Sequence, residues 1–411
     1  MKEREHVNAI IPHLFRTEYA KITAVTGRLF GLTHLEIAED LASETFLKAT
    51  EIWSQHGIPE NPTAWLYTVA KNKAKDYLKR QAHFQKKFKS HIQHESETQH
   101  FLLDFHPQYV QDSQLRMIFA VCDSQNPPEY QVSLALQILC GFSVSEIATA
   151  LLTSTETIKK RLTRARKKLK RSNFFAKELT PPEISSRLDV VLLILYLLFN
   201  EGYYSRSKNQ IIRNDLCAEA MRLARLLTEN EFTNTPEVNA LLALMCFQTS
   251  RLDARSTGPE EIILFDEQDR SLWNKTLIEK GNFYLLCACS YQRVSKYHLE
   301  ASIAYWHVST ADDSKWEKIL HLYNQLVLME YSPVTALNRA FALAKVYGNE
   351  KGIVEAEKLN LTTNAYYYCL LGFLFAPTNP AKAIEHYKQA VQISISSTEK
   401  KQLFKRIQEL Q

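Results

Sequence analysis

The chain has 411 residues, 45% of them hydrophobic, and a formal net charge of +5, which fits a soluble globular protein of two or three domains with real cores. That total hides an uneven distribution: residues 71–89 sum to +7 and residues 154–172 to +8, leaving the remainder at −10. A charge run alone is usually a solvated surface, but two concentrated basic patches on an otherwise acidic chain point to a polyanion gripped at two places. The opening Met-Lys-Glu-Arg-Glu-His lacks the apolar core of a signal peptide, and the longest apolar run, Val190 to Phe199, is too short to span a bilayer. No membrane association is expected, and the cytoplasm is the expected location. Seven cysteines are scattered, with only Cys287 and Cys289 close-spaced, so no disulfide framework or metal spacing is readable.

In chain order, the apolar period predicts an amphipathic helix over Ile10 to Phe30, striped by Ile11, Leu14, Phe15, Tyr19, Ile22 and Val25 and ended by Gly31. A second helix, Leu35 to Trp53, buries Leu41, Phe46, Leu47 and Ile52 and carries acids at Glu36, Glu39, Asp40 and Glu44. After the proline-stiffened turn His56 to Pro62, a third helix starts at Thr63 and runs through Trp65, Leu66, Val69, Ala70, Ala74, Tyr77 and Leu78 into the first basic patch. The polar stretch Gln81 to Gln108 holds His91, His94 and His100, but no Cys or close carboxylate completes a ligand set, so no metal is expected. Helices over Leu115 to Cys122 and Pro128 to Cys140 follow, joined by a turn at Asn126 to Pro128.

Gly141 to Arg171 then reads as a helix-turn-helix. Ser143 and Glu146 are spaced as a capping box, Ile147, Ala148 and Leu151 form an inward stripe, and Thr153 or Ser154 is placed to cap a second helix. In that helix Ile158, Leu162, Ala165 and Leu169 share one face, while Lys159, Lys160, Thr163, Arg164, Arg166, Lys167 and Lys170 stand on the others. This is the arrangement expected of a helix in a DNA major groove whose continuation tracks phosphates. A basic helix that merely closes a bundle is the plainer alternative; the two caps and the three-residue turn argue against it.

Two segments carry a resemblance. Asp40 to Ala49, followed by Asn61 to Arg80, resembles the second conserved domain of bacterial sigma factors, and the helix-turn-helix resembles their fourth. With only a linker between them, the layout is similar to that of the extracytoplasmic-function class. The resemblance implies that Asp40, Leu41, Glu44 and Phe46 dock on core RNA polymerase. It implies that Asn61, Trp65, Asn72, Lys75, Asp76 and Lys79 hold the melted minus-ten element of the promoter, where a base leaves the stack and cations hold the strand. It also implies that Thr155, Glu156, Lys159, Lys160, Thr163, Arg164, Arg166, Lys167 and Lys170 contact the minus-thirty-five element. Phe46 is equally a core residue, and Trp65 fits a core position between Ala64 and Leu66, so strand contact is assigned mainly to the polar residues.

Beyond about Phe174 the composition shifts, with Pro181-Pro182 marking a boundary, and nearly every segment reads as helix. Leu371-Gly372 with Phe375, then Ala383, Tyr387 and Ala390, resemble a tetratricopeptide repeat, in which small residues let two helices cross closely and an aromatic fills the groove. Asn200 to Tyr203, Asp215 to Ala220 and Asp266 to Trp273 resemble the C-terminal extension of one subgroup of these sigma factors. Glu201, Asp266, Asp269 and Arg270 form a polar set, but no nucleophile with a base, glycine-rich phosphate loop or metal spacing accompanies it, so a structural network is expected.

The expectation is therefore an all-α chain with sigma domain two at 1–83, a linker at 84–110, sigma domain four at 111–172, a linker at 173–186 and a helical array at 187–411. It has no catalytic activity and no cofactor. Its expected partners are core RNA polymerase, promoter DNA, and a protein or peptide on the array, which regulates the rest. The alternative is a one-component regulator that binds duplex DNA without polymerase and senses a ligand through its C-terminal half; such a protein has no use for an acidic docking helix.

Overall fold

The computed structural model describes all residues except 1, 89–103, 123–125, 152, 172–179, 204–209, 256–267, 290–293, 310–313 and 395–396, and among the described residues there is no strand. The chain forms two compact units, residues 1–207 with 211–233, and residues 208–210 with 234–411.

The first unit contains α1 (Lys2–Phe30), α2 (Leu35–His56), α3 (Pro62–Phe88), α4 (Pro107–Val121), α5 (Pro128–Ile138), α6 (Val144–Ala150), α7 (Thr155–Arg171), α8 (Pro181–Tyr203) and α9 (Gln210–Thr228). Gly31 ends α1 at φ 76°, a conformation that a side chain would strain. Leu14, Tyr19 and Ile22 of α1 pack on Ala42, Phe46, Ala49 and Trp53 of α2, and Leu66 and Ala70 of α3 complete this core. Each large side chain that leaves water here contributes about 1.5–3 kcal/mol, so Trp53→Ala, at a site 1% exposed, should cost about 3–5 kcal/mol.

α4 lies along α1. Val110 joins Val25, Leu41 and Ala74 in a second cluster, Phe105 stacks on Tyr67 at 4.5 Å between centroids, and the Arg28 guanidinium sits 4.3 Å over the Tyr109 ring. α8 packs on α4 and α5, with Arg187 donating to the Phe119 carbonyl at 3.2 Å. α9 is tied to α4 by Arg222, which pairs with Glu219 at 2.6 Å and donates to Gln114 at 3.3 Å, and by the Gln111 amide donating to Glu229 at 3.1 Å. The first two helices after the helix-turn-helix thus belong to the first unit, and the division that packing makes falls after Thr233 rather than near residue 187.

The second unit is a stack. α10 (Pro236–Thr249), α11 (Lys275–Ala288), α12 (Lys296–Val308), α13 (Lys315–Met329), α14 (Pro333–Tyr347), α15 (Asn349–Lys358), α16 (Ala365–Phe375), α17 (Pro380–Ile393) and α18 (Ser397–Glu409) pack mainly on their neighbours in sequence, the quasi-one-dimensional pattern of repeat proteins. α10 is apolar all round because α11 and α12 both cover it, and every residue from Val238 to Phe247 is buried. Thr235, Ser332 and Asn379 cap helices that open with proline, which needs no amide partner there. α15 has the least apolar sequence of the helices between α10 and α17. Its ten residues are mostly polar, and Gly352 lowers its helix propensity, yet a Cβ there would stand 2.4 Å from that of Ala344, so glycine is what lets α14 and α15 meet. At Gly372 a Cβ would stand 2.6 Å from the Tyr387 ring, the close crossing expected of that helix pair. Leu403 and Ile407 of α18 cover Ala383, Tyr387 and Ala390.

The polar set around residue 266 divides between the units. Glu201 lies on α8 in the first unit, while Asp269 and Arg270 lie in the second and Asp266 outside the described residues. Asp269 accepts from the Ser271 amide at 2.8 Å as the cap of a short 3-10 turn, and Arg270 lies 5.4 Å from the Trp273 ring. Among the described residues no helix is long and apolar enough to cross a membrane, and no group of three His, Cys, Asp or Glu is placed to hold a metal. His91, His94 and His100 lie outside the described residues.

Candidate nucleic-acid interface

Local chemistry builds the helix-turn-helix. Ser143 accepts from the Glu146 amide at 3.2 Å, and Glu146 accepts from the Ser143 amide at 2.8 Å, closing the capping box that starts α6. Ser154, rather than Thr153, caps α7 by accepting from the Thr157 amide at 3.1 Å. Ile158, Leu162, Ala165 and Leu169 are all buried, and α7 packs on α5 and α6. A charge at Leu162 would therefore break the module.

Fixing that face fixes the others. Thr155, Glu156, Lys159, Lys160, Thr163, Arg164 and Lys167 are exposed. Lys160 pairs with Glu156 one turn back at 2.7 Å, and because both are exposed the pair is worth only a few tenths of a kcal/mol and yields easily to a phosphate. Thr163 donates to the Lys159 carbonyl at 2.8 Å, and Arg164 donates to the Tyr130 hydroxyl at 3.0 Å. Sequence reasoning did not single out Tyr130.

Arg166 and Lys170 are placed differently. Both Nη atoms of Arg166 donate to Glu39 of α2, each at 2.6 Å, and Nη2 also donates to Gln137 of α5 at 2.8 Å. Burial works against the Arg166 charge, but the bonds and charge of Glu39 outweigh it and hold the guanidinium above its ordinary pKa. The same Glu39 carboxylate lies near buried Tyr19, whose phenol is pushed up to about 12 by burial first and by Glu39 second. Lys170 pairs with Glu36 at 2.5 Å, and its hydrogen bond keeps the Glu36 carboxyl below the usual carboxylate range. Two cations expected on phosphates thus rest on α2. Charge complementarity between the second basic patch and the acids of α2 was the available signal, but sequence separation hid the partner.

On α3, Asn61 accepts from the Ala64 amide at 3.0 Å and so caps the helix. Trp65 is half-buried against Trp53, with ring centroids 5.3 Å apart. Asn72, Lys75, Asp76 and Lys79 are exposed and recur at helical spacing along one side. On α2, Asp40 and Glu44 are exposed, and Glu44 pairs with Lys73 at 2.6 Å. Leu41 and Phe46 point inward and are 6% and 4% exposed. Phe46 meets Phe15 edge-on at 5.0 Å. The apolar side chain that α2 does present is Leu47, 61% exposed, which sequence reasoning placed in the core.

Comparison with known proteins matches these segments to described families. Residues 14–84 match the model for sigma-70 region 2, and residues 127–169 match that for sigma-70 region 4. Residues 187–289 match a family of unknown function, DUF6596. An uncharacterized protein, R00370, of Rhizobium meliloti (strain 1021) is 32% identical over 356 residues, which cover 85% of this chain and 83% of the relative. No solved structure matches the chain. Two sigma regions in the expected order, on the helices just described, followed by that third segment and a helical array, identify the chain as a member of the extracytoplasmic-function-like sigma factors that carry a C-terminal extension.

Proposed function

We propose that this sigma factor brings core RNA polymerase to particular promoters and that its C-terminal extension regulates that step from within the same chain. In this reading the outer face of α2, with Asp40 and Glu44, meets polymerase, and Asn72, Lys75, Asp76 and Lys79 of α3 hold the melted strand. Lys159, Lys160, Thr163 and Arg164 read the upstream element, and Lys167 holds phosphate. The observation that carries cis regulation is the packing of α8 and α9, where the matched third segment begins, against α4 and α5 within the DNA-contacting unit. The array beyond them holds a cavity of about 350 Å³ among Phe341, Lys345, Phe373, Tyr387 and Arg406. Glu409 also lines it and pairs with Arg406 at 3.4 Å, so the aromatic walls suit a peptide bearing apolar side chains.

The test is run-off transcription with core polymerase, comparing the intact chain with one ending at Thr233. Transcription should change several-fold in either direction; equal transcription under every condition tried would remove the regulatory role. Capture of core polymerase by the intact chain separates this reading from a regulator that binds DNA alone, which would capture none.

A further inference from the structure

Arg164 is exposed on the open face of α7, yet it bonds to a different helix: its Nη1 donates to the Tyr130 hydroxyl of α5 at 3.0 Å, across 34 residues of sequence. Its neighbours on that face bond within α7, Lys160 to Glu156 and Thr163 to the Lys159 carbonyl. Arg166, one turn out of phase, is held by a carboxylate.

The acceptor stands on a fixed element. Tyr130 lies in the first turn of α5, which opens with Pro128, and its amide donates to the Pro127 carbonyl at 2.9 Å. From Gln131 to Leu136 that helix is buried, and it packs directly on α7. The Tyr130 side chain is half-buried and has two torsions to fix, so its hydroxyl marks a defined point at low entropic cost.

The acceptor is also neutral. A carboxylate there would offset the guanidinium charge and compete with DNA for it, as Glu39 does at Arg166, whereas a phenol oxygen orients the fork and leaves the charge in place. One of five N–H donors is spent on Tyr130, and the rest suffice for a two-bond contact with a base edge. A long, exposed side chain loses rotamer freedom when it binds. A fork already oriented has lost part of that freedom before DNA arrives.

We propose that Tyr130 is a positioning residue for promoter reading: its hydroxyl pre-sets the Arg164 guanidinium for a base contact, so that specificity at that position depends on a residue outside the recognition helix. This rests on the reading of α7 proposed above.

The test is binding-site selection on duplex DNA with the full-length protein, comparing the wild type, Tyr130→Phe, Arg164→Ala and the double variant. Arg164→Ala should abolish preference at one or two base positions. Tyr130→Phe, which removes one oxygen and keeps the ring, should weaken preference at those same positions about 2- to 10-fold. It should leave the other positions and the salt slope unchanged, since no cation is lost, and should have no effect when Arg164 is already alanine. In the free protein, nitrogen-15 relaxation should report an ordered Arg164 side chain in the wild type and a mobile one in Tyr130→Phe.

Preference lost in Arg164→Ala but kept in Tyr130→Phe would overturn the positioning role and leave α7 as the reading helix. A Tyr130→Phe loss that persists in the Arg164→Ala background would overturn it too, because the hydroxyl then contacts DNA itself. So would a uniform loss over all sequences with a lowered unfolding midpoint, or an Arg164 side chain equally mobile in both proteins. No loss in Arg164→Ala removes the assigned face of α7 and the positioning role together, and so is distinguishable from the first outcome.

Discussion

The two basic patches carry nearly equal charge, +7 over residues 71–89 and +8 over residues 154–172, and both meet the acidic helix α2, but in different settings. Lys73 of α3 reaches Glu44 at the surface, where the glutamate side chain is 57% exposed, and Lys75 and Lys79 stand exposed beyond it. Arg166 of α7 reaches Glu39 in a site closed by Gln137 and Tyr19. Water competes for the first pair, which leaves about 0–1 kcal/mol. It cannot easily re-solvate the second without moving a helix. Nearly equal charge counts therefore describe different settings: Lys75 and Lys79 stand open to a polyanion, whereas Arg166 and Lys170 are occupied by the protein's own carboxylates.

The largest effect should come from the face of α2 that neither patch occupies tightly. Asp40→Lys with Glu44→Lys should reduce promoter-directed run-off transcription to background while leaving the thermal unfolding midpoint nearly unchanged, because exposed charges contribute little to stability. Wild-type transcription by this variant would remove α2 from polymerase docking. Next, Lys75→Ala with Lys79→Ala should weaken binding to single-stranded minus-ten DNA and lower the salt slope by about 1.4, at ~0.7 per phosphate lost. Binding of the upstream duplex should not change, and if it weakens equally the two patches are not separate sites.

Within α7, Arg164→Ala should cost about 1–3 kcal/mol at one or two base positions, whereas Lys167→Ala should weaken all sequences alike and lower the salt slope by about one unit. The reverse pattern in a binding-site selection would mean that α7 presents another face to the groove. The smallest contrast is in stability. Glu39→Ala strands Arg166 and should lower the unfolding free energy by roughly 2 kcal/mol, less than the ~3–5 of a fully buried pair, against less than about 0.5 kcal/mol for Glu44→Ala. Equal losses in urea titrations would erase the distinction between the patches.

What was legible in the sequence was what local chemistry decides. Ser143 with Glu146, and the four-three-four spacing from Ile158 to Leu169, depend on neighbours within a turn or two, so the helix-turn-helix stands as its residues predict. The sense of α2 was harder, because Phe46 and Leu47 are adjacent and both apolar, and only the packed core shows that Phe46 turns inward and Leu47 outward. Asn61 has the composition of a strand contact and is a helix cap. Long-range pairing was legible only as charge complementarity: Glu39 and Arg166 lie 127 residues apart, and nothing periodic joins them. The inward role of α8 was equally hidden, since its apolar face fits a free-standing array as well as it fits α4 and α5.

The end of α9 has a practical consequence for chimera design. Thr233, fully buried, donates to the Leu227 carbonyl at 2.6 Å and fastens the chain where it leaves α9, while Thr235 two residues later accepts from the Val238 amide and starts α10. Asn234 is thus a natural splice point between two separately finished ends. A hybrid cut at residue 187, where the matched family begins, would separate α8 from α4 and α5, on which it packs. A hybrid joined at Asn234 would exchange the C-terminal helical stack as a piece and keep α8 and α9 with the first unit.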